Sequence, residues 1–299
     1  MICYERGCFQ LDDALSKYCP EWASTQVLAG GDADEPELVD QETPITIKQL
    51  FTHTAGLPPL GPSQAGKINA RVQRARNPSN LAEHCEALAA GALSAQPGAK
   101  WQYGSCLTVL GRCVEVWSGQ TFDVFLQEEI FDRLGMADTG FKLPQSKLHR
   151  LHTNYLKTGE QEMEAMETNT EALTSVGGVF NGSGGLVGST ADYMKFAIML
   201  CNEGIGANDE RVLGPRSVQH MAMNHLPGGK PHEYRWHLGC ILLKMPAIFA
   251  RTGVDIAAMG VKSFTETTME GIGFGFGMAV GAPARRPRLT CACSRLQPR

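Results

Sequence analysis

Between Ser105 and Ser118 the chain sets Leu107, Leu110, Val114 and Trp117 on one helical stripe, and Gly119 follows where a left-handed residue ends a helix. A stripe of that width needs other apolar surface to lie on, so this segment predicts a helical core around itself. Similar signals recur on both sides. Ile47, Leu50 and Phe51 stand at i, i+3 and i+4 behind Thr46, and Gly56 and Pro58 stop that short helix. Residues 79–92, 122–134 and 215–224 predict further helices. Residues 190–202 predict another, with a Thr cap, Asp192 in its first turn, and Tyr193, Phe196, Ala197 and Leu200 buried. Strand signals are scarce: Ile272 to Val280 alternates large residues with glycine, as a strand packed closely on a helix would. Residues 9–18 read as a helix end and an acidic-capped turn, residues 21–42 as a polar loop, and residues 177–189 are too glycine-rich for a regular element.

Composition excludes several function classes. The 299 residues are 43% hydrophobic, enough for a sizeable core, and their net charge of -4 offers no basic stripe for nucleic-acid phosphates. No apolar run nears the ~20 residues of a membrane span, and Met1-Ile2-Cys3-Tyr4-Glu5-Arg6 lacks a signal peptide's charged-then-apolar order. The expectation is a soluble, unexported, cytoplasmic protein that acts on small molecules and binds neither nucleic acid nor membrane. Ten cysteines are scattered rather than regularly spaced, and read as small buried residues in a reducing compartment. Cys291-Ala292-Cys293 has no second pair to complete a zinc site. His232 and His237 flank Glu233, but rings five residues apart on a helix diverge by roughly 140°, so the geometry of His-Glu-x-x-His is missing. Glycines 182, 184 and 185 are followed by no Gly-Lys-Ser/Thr, which removes a phosphate cradle. No cofactor and no metal is expected.

Four blocks carry the functional information. The first is Ile45-Thr46-Ile47-Lys48-Gln49-Leu50-Phe51-Thr52-His53-Thr54-Ala55-Gly56-Leu57-Pro58. The second runs from Gln96-Pro97-Gly98-Ala99-Lys100-Trp101-Gln102-Tyr103-Gly104-Ser105 to Gly111, extended by Glu115 to Gly119 and Leu134 to Phe141. Gly182-Ser183-Gly184-Gly185-Leu186 with Ser189 to Tyr193 makes the third, and Ser263 to Gly271 with Gly273-Phe274-Gly275-Phe276-Gly277 the fourth.

In order and spacing these blocks resemble the serine β-lactamase and penicillin-binding-protein superfamily, in its class C β-lactamase and family VIII carboxylesterase branch. The resemblance covers most of residues 43–226 and 259–280. It implies an α+β, β-lactamase/transpeptidase-like fold, a large helical region packed on an antiparallel sheet. It also implies ester or amide hydrolysis, or acyl transfer, through an acyl-serine, with a small-molecule ester or amide as substrate. A serine hydroxyl is a poor nucleophile near neutral pH and needs a base within hydrogen-bond reach. In the family a Ser-x-x-Lys supplies that nucleophile, a tyrosine serves it, and backbone N–H groups meet the oxyanion. Tyr103 matches the catalytic tyrosine. Ser105 matches the third position of Tyr-x-Asn/Ser, where a short polar side chain contacts substrate or holds the lysine. His53, in its Thr-His-Thr setting, reads as a residue that braces a loop.

Departures from the pattern are equally specific. No Ser-x-x-Lys and no Gly-x-Ser-x-Gly occurs in these 299 residues, and Tyr4 to Asp13 resembles the stretch that follows the nucleophile helix. No Lys/His/Trp-x-Gly follows Val280, where an aperiodic tail rich in arginine, proline and cysteine stands at 285–299. The expectation is a chain truncated at both ends and inactive as it stands, with a non-catalytic binding or interaction protein as the alternative. Its parts would be a remnant plus loop at 1–42, a mainly helical region at 43–230, an insertion at 231–258, a strand region at 259–281 and a disordered tail at 282–299. An incomplete sheet would leave apolar helix faces uncovered and make the fold marginally stable.

Overall fold

In the computed structural model, which describes residues 1–58, 63–158, 162–168, 170–175, 177–226 and 272–281, the helix expected after Ser105 runs Cys106–Ser118 and stops at Gly119, whose φ is 72°. The expected insertion at 231–258, the Ser263 to Gly271 half of the fourth block, the His232/His237 pair, Cys291-Ala292-Cys293 and the 282–299 tail lie outside these residues. In chain order the helices are α1 (Ile2–Glu5), α2 (Ile47–Phe51), α3 (Gln64–Arg76), α4 (Leu81–Ala89), α5 (Cys106–Ser118), α6 (Phe122–Leu126), α7 (Asp132–Leu134), α8 (Thr170–Thr174), α9 (Thr190–Cys201) and α10 (Pro215–Met221). The strands are β1 (Gln26–Gly31), β2 (Pro36–Asp40), β3 (Ala92–Leu93), β4 (Tyr155–Lys157), β5 (Met163–Ala165), β6 (Ile272–Phe274) and β7 (Ala279–Gly281).

Capping explains where several helices begin. The Thr46 hydroxyl accepts from the Gln49 amide at 3.3 Å, and the Gln49 side chain accepts from the Thr46 amide at 2.9 Å, a reciprocal box that starts α2. For α9 the cap is Ser189, accepting from the Asp192 amide at 3.2 Å, rather than Thr190. A cap must have non-helical backbone; Ser189 has it, and Thr190 is already inside the helix. Tyr193 is likewise not buried but 71% exposed, while Asp192 and Met199 of α9 face inward. Helix α3 has no sequence signature of an apolar face, since Ala65 and Asn69 are its buried residues. It is held by polar contacts instead: Ser63 caps Gly66 at 3.0 Å, and the Asn69 side-chain Oδ1 accepts from the Ala92 amide at 2.6 Å.

The core gathers α2, α4 and α5 with Phe9, Leu15 and Trp22 of the N-terminal segment. Cys106, Val109, Leu110 and Cys113 form the fully buried face of α5. The stripe that predicted this helix lies partly elsewhere: Leu107, Val114 and Trp117 are half-buried and, with Leu110, line an apolar cleft of about 260 Å³ between α1, α6 and α9. Helix α5 is thus apolar around most of its circumference, as a central helix must be. Among the described cysteines, Cys3, Cys19, Cys85, Cys106 and Cys113 are buried free thiols, whereas Cys201 is exposed.

Two segments differ from expectation. Residues 21–42 are not a loop: β1 and β2 form an antiparallel hairpin, and β1 also pairs in parallel with β3, giving a mixed sheet of order β2-β1-β3. Asp32 builds the turn by accepting from the amides of Asp34 at 2.8 Å and Glu35 at 3.0 Å. The register shifts between Leu28 and Gly30, and that irregularity breaks the period-2 alternation by which a strand is recognised. Residues 272–280 are not one strand but the antiparallel pair β6 and β7, turned at Gly277 with φ 81°. Phe276 in this turn is buried, its ring stacked on His225 at 3.8 Å and tilted against Phe51 at 5.1 Å. Residues 177–189 form no helix or strand, as their glycines require. Among the described residues no helix is long and apolar enough to cross a membrane.

Candidate active site

The first two sequence blocks are zipped together by backbone hydrogen bonds. Ser94 donates to the Gly56 carbonyl at 2.8 Å, Gly98 to that of Thr54 at 2.7 Å, and Gln102 to that of His53 at 2.8 Å. Such close contact constrains both sides. Gly56 has φ 83°, and a Cβ there would collide with the Ala95 carbonyl oxygen; a Cβ on Gly104 would collide with that of Pro58. The chain from Ser94 to Gly104 is therefore laid on the loop from His53 to Pro58 as on a template.

This template sets the exposure of Tyr103. The residue follows buried Trp101 and Gln102, yet is itself 42% exposed. Its ring lies 4.5 Å from the His53 imidazole, tilted by 33°, and Trp101 closes the group at 6.1 Å from His53 and 6.2 Å from Tyr103. His53 is 1% exposed and has a left-handed backbone, φ 55°. Burial pushes its pKa down from 6.5 to about 4, so the ring is neutral near pH 7. Ser105 stands two residues on, half-buried at the N-cap position of α5, with no side-chain bond to the cap. Both sequence-matched residues, Tyr103 and Ser105, thus lie on the lip that leads into the central helix.

The third block converges on the same helix end. Gly182 presses on the first turn of α5, where a Cβ would collide with the Leu107 carbonyl oxygen. The Thr108 hydroxyl donates to the Asn181 side chain at 2.5 Å and lies 2.7 Å from the Ser183 hydroxyl, and the Ser183 oxygen accepts from the Thr108 amide at 3.1 Å. Thr108 and Asn181 were not singled out by sequence. The usable signal is Thr108 itself, a polar residue on the buried side of an apolar helix, which must find a partner.

A separate polar knot joins the Leu134 to Phe141 extension to α9. Buried Asp192 accepts from the Asp138 amide at 2.7 Å, the Thr139 hydroxyl at 3.1 Å and the Lys195 ammonium at 2.9 Å. Burial would raise its pKa, but these donors outweigh burial and hold the carboxyl below its ordinary range. Asp138 pairs with Arg150 at 2.6 Å and Lys147 at 2.7 Å, which hold it well below the usual carboxylate range. Among the described residues no group of three or more His, Cys, Asp or Glu side chains could hold a metal ion. What the lip offers chemically is an accessible phenol and a neighbouring hydroxyl on a rigid base, groups able to relay a proton to a bound molecule.

Comparison with known proteins gives consistent relatives. Residues 1–264 match the family model described as Beta-lactamase. The chain is 34% identical over 263 residues to lovastatin esterase of Penicillium rubens, covering 85% of this chain and 62% of that protein. It is 28% identical over 246 residues to acyltransferase mokF of Monascus pilosus, covering 79% of this chain and 56% of the relative. The solved structure of unliganded simvastatin synthase (LovD) from Aspergillus terreus has a TM-score of 0.69 at 24% identity, over 93% of this chain and 64% of that one, and so shares its β-lactamase/transpeptidase-like fold. The chain spans about three-fifths of the length of these curated relatives.

Proposed function

Because this chain belongs to the beta-lactamase family of serine hydrolases and acyltransferases, we propose that the lip bearing Tyr103 and Ser105 is the active-site wall of an enzyme that cleaves or transfers acyl groups through an acyl-serine. The observation that carries this reading is the position of Tyr103: exposed, on a template of two family blocks, at the entrance to the central helix. Tyr103 would serve as the proton relay for the attacking hydroxyl, and Ser105 would contact the substrate or orient the lysine. The substrate class is a small-molecule ester or acyl donor, in keeping with relatives named as an esterase and an acyltransferase.

A second reading concerns the 299 residues as they stand, which contain no Ser-x-x-Lys. In another serine hydrolase removal of the nucleophile costs about a millionfold in turnover. We therefore propose that this stretch of chain does not turn over esters alone, and that residues 43–230 act in it as a binding unit, with 231–258 an insertion. The test has two arms. The purified chain, incubated with a fluorophosphonate probe and a chromogenic ester, is expected to show no labelled serine; labelling would refute the inactive reading. A fusion carrying a Ser-x-x-Lys helix ahead of Met1 is expected to acquire labelling that Tyr103→Phe abolishes, and labelling indifferent to Tyr103→Phe would refute its assignment.

A further inference from the structure

The two backbone amides that flank Tyr103 both donate to one residue. The Gln102 amide reaches the His53 carbonyl at 2.8 Å, and the Gly104 amide reaches His53 Nδ1 at 3.5 Å. Between these bonds the Tyr103 ring rests 4.5 Å from the imidazole. We infer that His53 is a positioning residue for Tyr103, its Nδ1 acceptor and its ring together fixing the direction in which the phenol leaves the lip. The inference rests on the reading of Tyr103 as an active-site residue and adds to it the device that orients the phenol.

Three features of His53 fit this task better than simple core packing. Its acceptor is aimed at the buried amide beside Tyr103, and an aliphatic side chain, which would fill the space at lower desolvation cost, would leave that amide unpaired. An L-residue with φ 55° is held against its preference, which persists only where the surroundings over-determine it. Accepting at Nδ1 requires a neutral ring whose proton sits on Nε2, and burial keeps the ring neutral. Asparagine can imitate one half of the device, since its Oδ1 can stand near the place of Nδ1 and it tolerates left-handed backbone. Phenylalanine can imitate the other half, keeping the ring and losing the acceptor.

The experiment uses the full chain with its six tyrosines replaced by 3-fluorotyrosine, and the Tyr103 resonance assigned with Tyr103→Phe. In His53→Asn the Gly104 amide is expected to keep its protection from exchange, and the Tyr103 fluorine signal to move less than in His53→Phe. In His53→Phe the Tyr103 signal is expected to move toward that of a free side chain and the Gly104 protection to fall at least tenfold, while the other five tyrosine signals stay in place. An unmoved Tyr103 signal and an undiminished Gly104 protection in His53→Phe would overturn the inference. Should His53→Phe fail to fold, shown by movement of all the tyrosine signals, the nitrogen spectrum of the native imidazole decides: an unprotonated Nδ1 upholds the inference, and a proton on Nδ1 overturns it. None of these readings requires turnover, so failure here is distinct from failure of the labelling experiment.

Discussion

Gly182 lies so close to Leu107 that a methyl group on its Cα would collide with the Leu107 carbonyl oxygen, which makes the glycine a docking point between the third sequence block and the first turn of α5. Backbone cannot yield there as a flexible side chain can, so Gly182→Ala is expected to cost about 1–3 kcal/mol. Gly184, with open space around its Cα, is the control: Gly184→Ala is expected to change stability by less than about 0.5 kcal/mol. Urea denaturation of both variants measures the difference, and equal midpoints would deny the docking role.

Thr108 gives the side-chain half of the same joint. Thr108→Val removes the hydroxyl that Asn181 and Ser183 share and keeps the amide that donates to Ser183, at an expected cost of about 1–3 kcal/mol. Thr108→Ser keeps the hydroxyl and is expected to recover most of that loss. A Ser variant as unstable as the Val variant would shift the explanation to the lost methyl group.

Acid is expected to weaken the protein through His53. Its folded pKa is about 4 against an ordinary 6.5, so between these values the unfolded chain takes up a proton that the folded chain refuses. Stability is therefore full above about pH 6.5, falls as pH drops toward 4, and loses nothing more from this group below that. At ~1.4 kcal/mol per pH unit the gap is worth about 3 kcal/mol. Burial lowers the pKa of His84 and His225 as well, so both add to the same trend. Denaturation midpoints at several pH values, compared between the native chain and His53→Asn, isolate the part due to His53; identical pH slopes would contradict it.

Asp192 organises the contact between α9 and the Leu134 to Phe141 segment, and Asp192→Ala removes the acceptor of three donors at once. A loss of about 2–3 kcal/mol is expected, the size of a charge-assisted hydrogen bond left unmade in a buried site. Asp192→Asn, which keeps one acceptor oxygen, is expected to lose less. Thermal unfolding of the two variants ranks them, and the reverse order would sink the argument.

Much of the helical scaffold was legible because its cues are local. Thr46 with Gln49, the stop at Gly119, and the periodic apolar residues of α4, α5 and α9 are patterns a few residues long; α2, α5 and α9 formed within about a residue of their expected places, while α4, expected over 79–92, is the shorter helix Leu81–Ala89. The hairpin of β1 and β2 was illegible for a local reason too, since the shift between Leu28 and Gly30 erases its alternation. Helix α3 is illegible because polar bonds from Ser63 and Asn69 stand in for an apolar face.

For the site, residue types and their order identified the family, and with it Tyr103 and Ser105 as matching positions. That information is chemical: a tyrosine, a short polar neighbour and the surrounding glycines are each chosen by a demand that sequence records directly. How the site is assembled is decided by contacts across long stretches of chain: His53 to Gln102 and Gly104 on either side of the tyrosine, and Gly182 to Leu107 and Thr108 to Asn181 at the first turn of α5. No local pattern encodes those distances, because each is a balance between burying apolar surface and leaving no backbone amide unpaired, settled when the packed segments meet. The buried imidazole beneath an exposed phenol is the product of that balance.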